Sequence, residues 1–421
     1  MIDTAPSPSR VQSLDLVRGV AVMGILLLNI IAFAMPEAAY VNPHAYGGAE
    51  GVDLAVYLAN FVLFDGKMRG LFSFLFGASM LLVIDRAEAK DEDPAGVHYR
   101  RMLWLLLFGL AHLWLLWWGD ILTLYAMVGM IAYAGRQLSV RALIGAGVAL
   151  VMIGFGMMLI IVFVVSGAVD RIHSSDPAAE AEAARSLLEF TKSLGTPPAS
   201  AIAGDLALHR GDYASILAAR FNDNVFAPVA NLVFFGWETL AYMFFGMAAL
   251  KSGLLRNAWP RAKYLRLVWL GFGIGLPAYA GFAAVLIASD FSLQAITLYV
   301  MALPALVRPV MILGWACLIL LLARPGGALT TRIAAAGRMA FTNYLATSLI
   351  CTTLFYGYGL GWYGHLGRAH LYLVVFAVCA LMLLWSKPWL ARFRYGPFEW
   401  LWRSLSRWQL QPIRGAAALS D

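Results

Sequence analysis

A few polar side chains stand inside long apolar stretches of this chain, and their types suit acyl transfer. Asn29 interrupts SLDLVRGVAVMGILLLNIIAF (residues 13–33), His112 lies in FGLAHLWLLWWGDIL, and Glu238 sits in an apolar run that ends at Lys251. An imidazole can take a proton from an attacking hydroxyl, an amide can donate to the developing oxyanion, and a carboxylate can orient the imidazole. At the helical rise, Asn29 lies about 16 Å from Arg18, His112 about 16 Å from Arg101, and Glu238 about 20 Å from Lys251. Three groups on three helices therefore share one depth in a hydrocarbon layer about 30 Å thick. Arg308 lies farther toward the outside, and Asp120 is expected to cap the outer end of the His112 helix. Groups of this kind at membrane depth usually face a cavity. Two other readings stay open: hydrogen bonds that merely pack helices together, and a proton-coupled transport site built from Glu238, His112 and Arg308.

The elements that hold these groups must be membrane helices. With 61% hydrophobic and 13% charged residues and a mean hydropathy of +0.73, the chain is far more apolar than a soluble domain of its length. Cys317, Cys351 and Cys379 all lie in apolar runs, so neither a disulfide framework nor a metal centre is expected. The net charge of +7 comes without a basic, aromatic-interleaved stripe, so no nucleic-acid partner is expected. Neither a phosphate-binding loop, a dinucleotide fingerprint, HExxH nor GxSxG occurs.

In chain order, a Pro/Ser-rich lead is followed by a first span over about 17–35, read as a retained helix rather than a cleaved signal. A turn-rich loop (37–51) and a short apolar segment (52–64), read as a half or interfacial helix, lead into a span over about 70–84. Further spans are expected at 102–118, 121–134, 142–169, 226–250, 265–288, 304–323, 334–356 and 371–385, with a second partial helix at 293–303 broken by Pro304. The hydrophilic stretch 170–224 reads as a small helical cap. With ten spans, 22 of the 31 Lys and Arg residues fall on one side, which places both termini in the cytoplasm and the cap outside. The expected fold is all-α: a multi-pass membrane protein of about ten transmembrane helices, one or two partial helices and an extracytoplasmic cap. Its parts are an N-terminal half (1–169), the cap (170–224), a C-terminal half (225–391) and a cytoplasmic amphipathic tail (392–421).

Weaker signals complete the pattern. His44 lies in the outer loop just after Asn42-Pro43, where it reads equally as a solvated turn residue. Thr342, Asn343, Thr347, Ser348 and Thr352 give the ninth span a polar seam, either a pathway wall or packing glue. Tryptophans near span ends, such as Trp117, Trp118 and Trp385, read as an interfacial belt.

The first-helix motif, the loop NPHAYGG, the segment FGLAHLWLLWWGDIL and the late runs GRMAFTNYLATSLICTTLFYGYGL and GPFEWLWR resemble the YeiB family of bacterial inner-membrane proteins. More distantly, the first helix and loop resemble the transmembrane acyltransferases that acetylate sugars, including the lysosomal heparan-glucosaminide enzyme. That resemblance implies roles in acyl transfer from acyl-CoA for Asn29 and for His44. The expectation is a membrane-bound acyltransferase with His112 or His44 as base, Asn29 as oxyanion donor, and Asp120 or Glu238 orienting the imidazole or binding the acceptor. Cytoplasmic acyl-CoA, a polyanion, would dock on Arg18, Arg100, Arg101 and Arg338, with Asn343 of the seam nearby. The expected location is the bacterial inner membrane. Expected partners are membrane lipids and a small-molecule, glycan or lipid acceptor, with a homodimer left open.

Overall fold

The structure, a computed structural model, describes residues 8–172 and 174–414. The start of the Pro/Ser-rich lead and the last seven residues of the expected tail lie outside them. In chain order the helices are α1 (Pro8–Ala34), α2 (Gly51–Leu63), α3 (Lys67–Glu88), α4 (Pro94–Ala111), α5 (Leu122–Ala132), α6 (Val140–Arg171), α7 (Pro177–Ser193), α8 (Ala199–His209) and α9 (Tyr213–Asp223). They continue with α10 (Ala227–Lys251), α11 (Arg261–Ala288), α12 (Leu293–Ile296), α13 (Pro304–Leu322), α14 (Ala328–Arg338), α15 (Ala340–Phe355), α16 (Arg368–Arg392) and α17 (Pro397–Arg407).

The chain is an all-α membrane protein. Among the described residues there is no strand, and seven helical segments are long and apolar enough to cross a membrane. Two shorter apolar helices, Leu122–Gly135 and Ala340–Phe355, and α4 supply the other elements expected from the sequence. α7, α8 and α9 are the expected cap. They sit on the Tyr356–Tyr363 loop through Arg210 Nε, which donates to the Tyr363 carbonyl at 2.8 Å, and Tyr363 Oη, which donates to Asp205 at 2.8 Å.

α1 is apolar around its whole circumference and is buried accordingly: Val17, Ala21 and Ile30 have no accessible surface. It packs against α3, α13, α14, α15 and α16. α6, α11 and α16 instead leave one face open, with Phe163, Trp269 and Leu373 exposed as residues facing lipid would be. Lipid gives apolar helices little reason to associate, so close backbone approach must supply the contact. α3 and α10 meet this way. A Cβ on Gly246 would overlap the Phe74 carbonyl, and one on Gly77 would overlap the Met243 carbonyl.

Three helices depart from the regular form, each for a local reason. The first apolar partial helix, α2, ends where Gly66 takes a left-handed conformation (φ +65°). Its last carbonyls are then met from elsewhere, since Lys67 Nζ donates to Phe61 O at 2.6 Å and Trp315 Nε1 to Leu63 O at 3.0 Å. The second partial helix is not broken by Pro304 as expected. α12 runs through a π-helical turn, Thr297–Ala302, almost directly into α13, because Pro304 occupies a first-turn position that needs no N–H. The ninth span is two helices, α14 and α15, parted at Met339. Glu399 of α17 accepts the backbone N–H groups of Phe341 (2.8 Å) and Thr342 (3.1 Å) and the Thr342 hydroxyl (2.5 Å), so a carboxylate distant in sequence caps the new helix.

The glycine crossing gives a stability test. Gly246→Val should destabilise the detergent-solubilised protein by about 1–3 kcal/mol, the usual cost of overpacking. Gly273→Ala, at a position with nothing within 4 Å of its added carbon, should leave the thermal unfolding midpoint unchanged or slightly higher. Melting curves of the two variants beside wild type decide it.

Candidate functional site

The sequence-predicted groups fall into three clusters. The first joins α4, α5 and α15. α4 passes at His112 into a single π-helical turn, His112–Leu116, a feature often found at functional sites because it re-aims one side chain. The His112 imidazole is buried. Its Nδ1 lies 2.8 Å from Asp120 Oδ1 and its Nε2 lies 2.9 Å from Ser348 Oγ. Asp120 does not cap the His112 helix; its second oxygen accepts the Thr123 backbone N–H at 2.7 Å, at the start of α5, which fixes the carboxylate in place. An ionised carboxylate can only accept, so Nδ1–H donates to Asp120, and in the neutral form of the ring Nε2 is then the acceptor for the Ser348 hydroxyl.

Ser348 also borders a narrow cleft between α1 and α15, together with Val22, Ile25, Leu26, Asn29, Tyr344 and Thr347. The Asn29 amide lines this cleft and has no hydrogen-bond partner among the described residues. Asn29 and His112 are thus brought together, with Ser348 between them.

Glu238 lies in a second cluster. Arg69 donates to its Oε2 at 2.9 Å, Tyr242 to its Oε1 at 2.5 Å, and Arg308 pairs with the same oxygen. This clamp ties α3, α10 and α13 and makes no contact with His112. Nearby, on the opposite face of α1 from Asn29, a second cleft of about 390 Å³ is lined by Tyr40, Tyr57, Asn60, Asp65, Val300 and Arg368, among others. Arg368 is almost fully buried, with Nη2 on the carbonyls of Ala39 (2.8 Å) and Tyr46 (3.3 Å) and its Nε unpartnered. His44 joins neither cluster. It is exposed, lies tilted 5.3 Å from the Phe291 ring and reaches Asp290 at 3.4 Å.

The third cluster is cationic and gathers the helix ends around α17. Arg18 pairs with Asp15 (2.9 Å) and donates to Ser79 (2.6 Å). The Arg101 guanidinium lies 4.1 Å over the Trp402 ring, whose Nε1 donates to the Arg101 carbonyl at 2.9 Å. Burial, reinforced by the like charges of Arg403 and Arg407, pushes Arg101 below the ordinary guanidinium range, and burial does the same to Arg403. Arg338 and Arg403 both lie within electrostatic reach of Asp15. Four elements therefore bring positive charge to one place, with Asp15 and Glu399 as the acids that act on it. Arg100 turns back onto the Gly96 carbonyl at 3.0 Å and is exposed. Asn343 is consumed structurally: its amide donates to Ala336 O (3.0 Å), at the α14–α15 break, and to Ser386 Oγ (3.3 Å), while its oxygen accepts from Trp385 (3.0 Å).

Sequence reasoning placed Ser348 only in a polar seam and read Arg403 and Arg407 only as topology-setting charges. Their i, i+4 spacing on an amphipathic helix was the available signal for the two arginines.

Residues 249–409 match the family model described as a protein of unknown function, DUF418. The chain is 34% identical over 407 residues to the uncharacterized protein YeiB of Escherichia coli (strain K12), covering 94% of this chain and 95% of that one. It is 31% identical over 417 residues to the uncharacterized protein YxaH of Bacillus subtilis (strain 168), covering 96% of each. No solved structure matches. Matched almost end to end by two relatives at this identity, and carrying the DUF418 region in its C-terminal half, the chain belongs to the YeiB family.

Proposed function

We propose that this protein is an acyltransferase of the bacterial inner membrane that moves a short acyl group from cytoplasmic acyl-CoA to an extracytoplasmic hydroxyl or amine. In this reading both termini are cytoplasmic and the α7–α9 cap faces outward. The observation that carries it is the buried Asp120–His112–Ser348 chain beside a cleft that the unpaired Asn29 amide lines. His112 is the base, held in one tautomer by Asp120, and Asn29 donates to the oxyanion that forms on the acyl carbonyl. The narrowness of the cleft favours acetyl over longer chains. The Arg18, Arg101, Arg338, Arg403 and Arg407 cluster suits the phosphates of the carrier, with an arm reaching inward along α15.

Purified protein supplied with labelled acetyl-CoA and cell-envelope fractions should transfer the label. His112→Ala should lower the rate by about 10²–10⁴-fold and Asn29→Ala by about 10²–10³-fold. His44→Ala should leave it near wild type. If no fraction accepts label from the wild-type protein, acyl transfer is the wrong chemistry.

The cationic cluster predicts a different signature. Arg403→Gln and Arg407→Gln should each raise the KM for acetyl-CoA about tenfold, about 1.4 kcal/mol, with little change in kcat. The wild-type KM should also rise with salt, because screening weakens exposed charge pairs. Salt-independent binding of the donor would remove this cluster from the reading.

One observation favours a second reading, a proton-coupled carrier: the cleft holding Asp65, Asn60 and Arg368 lies near the buried Arg69–Glu238–Arg308 clamp. Uptake into proteoliposomes that follows a pH gradient and is lost in Glu238→Gln would put that reading first.

A further inference from the structure

We infer that Ser348 is the nucleophile of a two-step transfer, in which the acyl group rests on its hydroxyl between donor and acceptor. The inference rests on the acyl-transfer reading above and goes beyond it by assigning a covalent intermediate.

The geometry is that of an activated serine. A hydroxyl is a weak nucleophile until a base takes its proton, and a base does so well only when a third group fixes its tautomer and orientation. Here Ser348 Oγ lies 2.9 Å from His112 Nε2, His112 Nδ1 lies 2.8 Å from Asp120, and Asp120 is itself held by the Thr123 N–H. The four groups come from the end of α4, the start of α5 and the middle of α15. Among the described residues Ser348 Oγ makes one other hydrogen bond, a long one at 3.4 Å donated to the Tyr344 carbonyl in the preceding turn. The hydroxyl lines the same cleft as Asn29, whose amide has no hydrogen-bond partner among the described residues.

The location fits a relay. Ser348 stands eight residues beyond the capped start of α15, about 12 Å along it, between the cationic cluster at that end and the cap-side end of the bundle. A donor and an acceptor on opposite sides of a membrane need not meet if the acyl group waits at this point.

The steps balance without a co-reactant. Ser348 Oγ attacks the thioester carbonyl while its proton passes to His112 Nε2. The C–O bond forms, the C–S bond breaks, and His112 returns the proton to the departing thiolate, releasing CoA. The acceptor hydroxyl or amine then attacks the seryl ester and gives its proton to His112. The ester C–O bond breaks, and the Ser348 oxygen recovers the proton.

The test is to incubate the purified full-length protein with labelled acetyl-CoA and no acceptor, quench, and locate label on the chain. Label should reach up to about one acetyl per chain, map to the peptide containing Ser348, and be absent in Ser348→Ala. Wild type should also exchange free labelled CoA into acetyl-CoA without acceptor, and Ser348→Ala should not. Ser348→Cys guards against misfolding of the alanine variant: it should carry the acetyl group as a thioester that neutral hydroxylamine removes, whereas the wild-type ester resists. Transfer to an envelope acceptor that persists within tenfold in Ser348→Ala, or that proceeds with neither adduct nor exchange in wild type, would overturn the inference while leaving acyl transfer intact. Absence of any transfer by wild type would overturn both.

Discussion

An unpaired polar group inside an apolar bundle costs several kilocalories per mole, and this architecture is arranged around meeting that cost. Glu238 is answered by two arginines and a tyrosine, His112 by an aspartate and a serine, and Asn343 by a carbonyl, a hydroxyl and an indole. Apart from Tyr242, which shares α10 with Glu238, the partners come from other elements, so these pairings also fix how helices sit against one another. Not every group is answered: the Tyr279 and Tyr356 hydroxyls and Arg368 Nε lack a partner among the described residues, and so does Asn29. Its amide is left unanswered beside a cleft, and an exception of that kind is a reason to look for a ligand there rather than a packing role.

The same constraint explains where the helices break. α2 can stop inside the bundle because a lysine and a tryptophan take over its last carbonyls, and α15 can begin afresh because Glu399 accepts its first N–H groups. The two π-helical turns both bear on a cleft: His112–Leu116 carries the imidazole that meets Ser348 of the first cleft's lining, and Thr297–Ala302 carries Val300 of the second. The irregular backbone is thus concentrated where the bundle opens, and the regular helices α6, α11 and α16 face outward.

Much of this was legible in the sequence and the remainder was hidden for physical reasons. A charge or amide in a leucine-rich run stands out, so Asn29, His112, Asp120 and Glu238 could be named in advance, as could the membrane class and the helical cap. Ser348 could not be separated from Thr342, Thr347 and Thr352, because hydroxyls are inexpensive in membrane helices and spacing alone does not say which one meets an imidazole. The break at Met339 has neither proline nor glycine at the joint; its cause is Glu399, 60 residues later. Pro304 misled in the opposite direction, since a proline in a helix's first turn breaks nothing. Arg403 and Arg407 were concealed by the positive-inside bias that every membrane protein shows. The common level of Asn29, His112 and Glu238 suggested one internal site, but helix rise carries no azimuth, and the structure sets Glu238 with Arg69, Tyr242 and Arg308, apart from His112.

The placement of α17 has a mechanical consequence. Its Glu399 is fastened to the first turn of α15, and its Trp402 to the Arg101 carbonyl on α4. Those are the two helices that bear Ser348 and His112. α17 therefore works as a splint across them at the bundle's edge, setting the gap between hydroxyl and imidazole from a distance. Because Arg403 and Arg407 belong to the splint itself, an anion settling on them loads the same piece of backbone. An anion held at the rim, as the proposed reading has it, would thus bear on the alignment of Ser348 and His112 through α17.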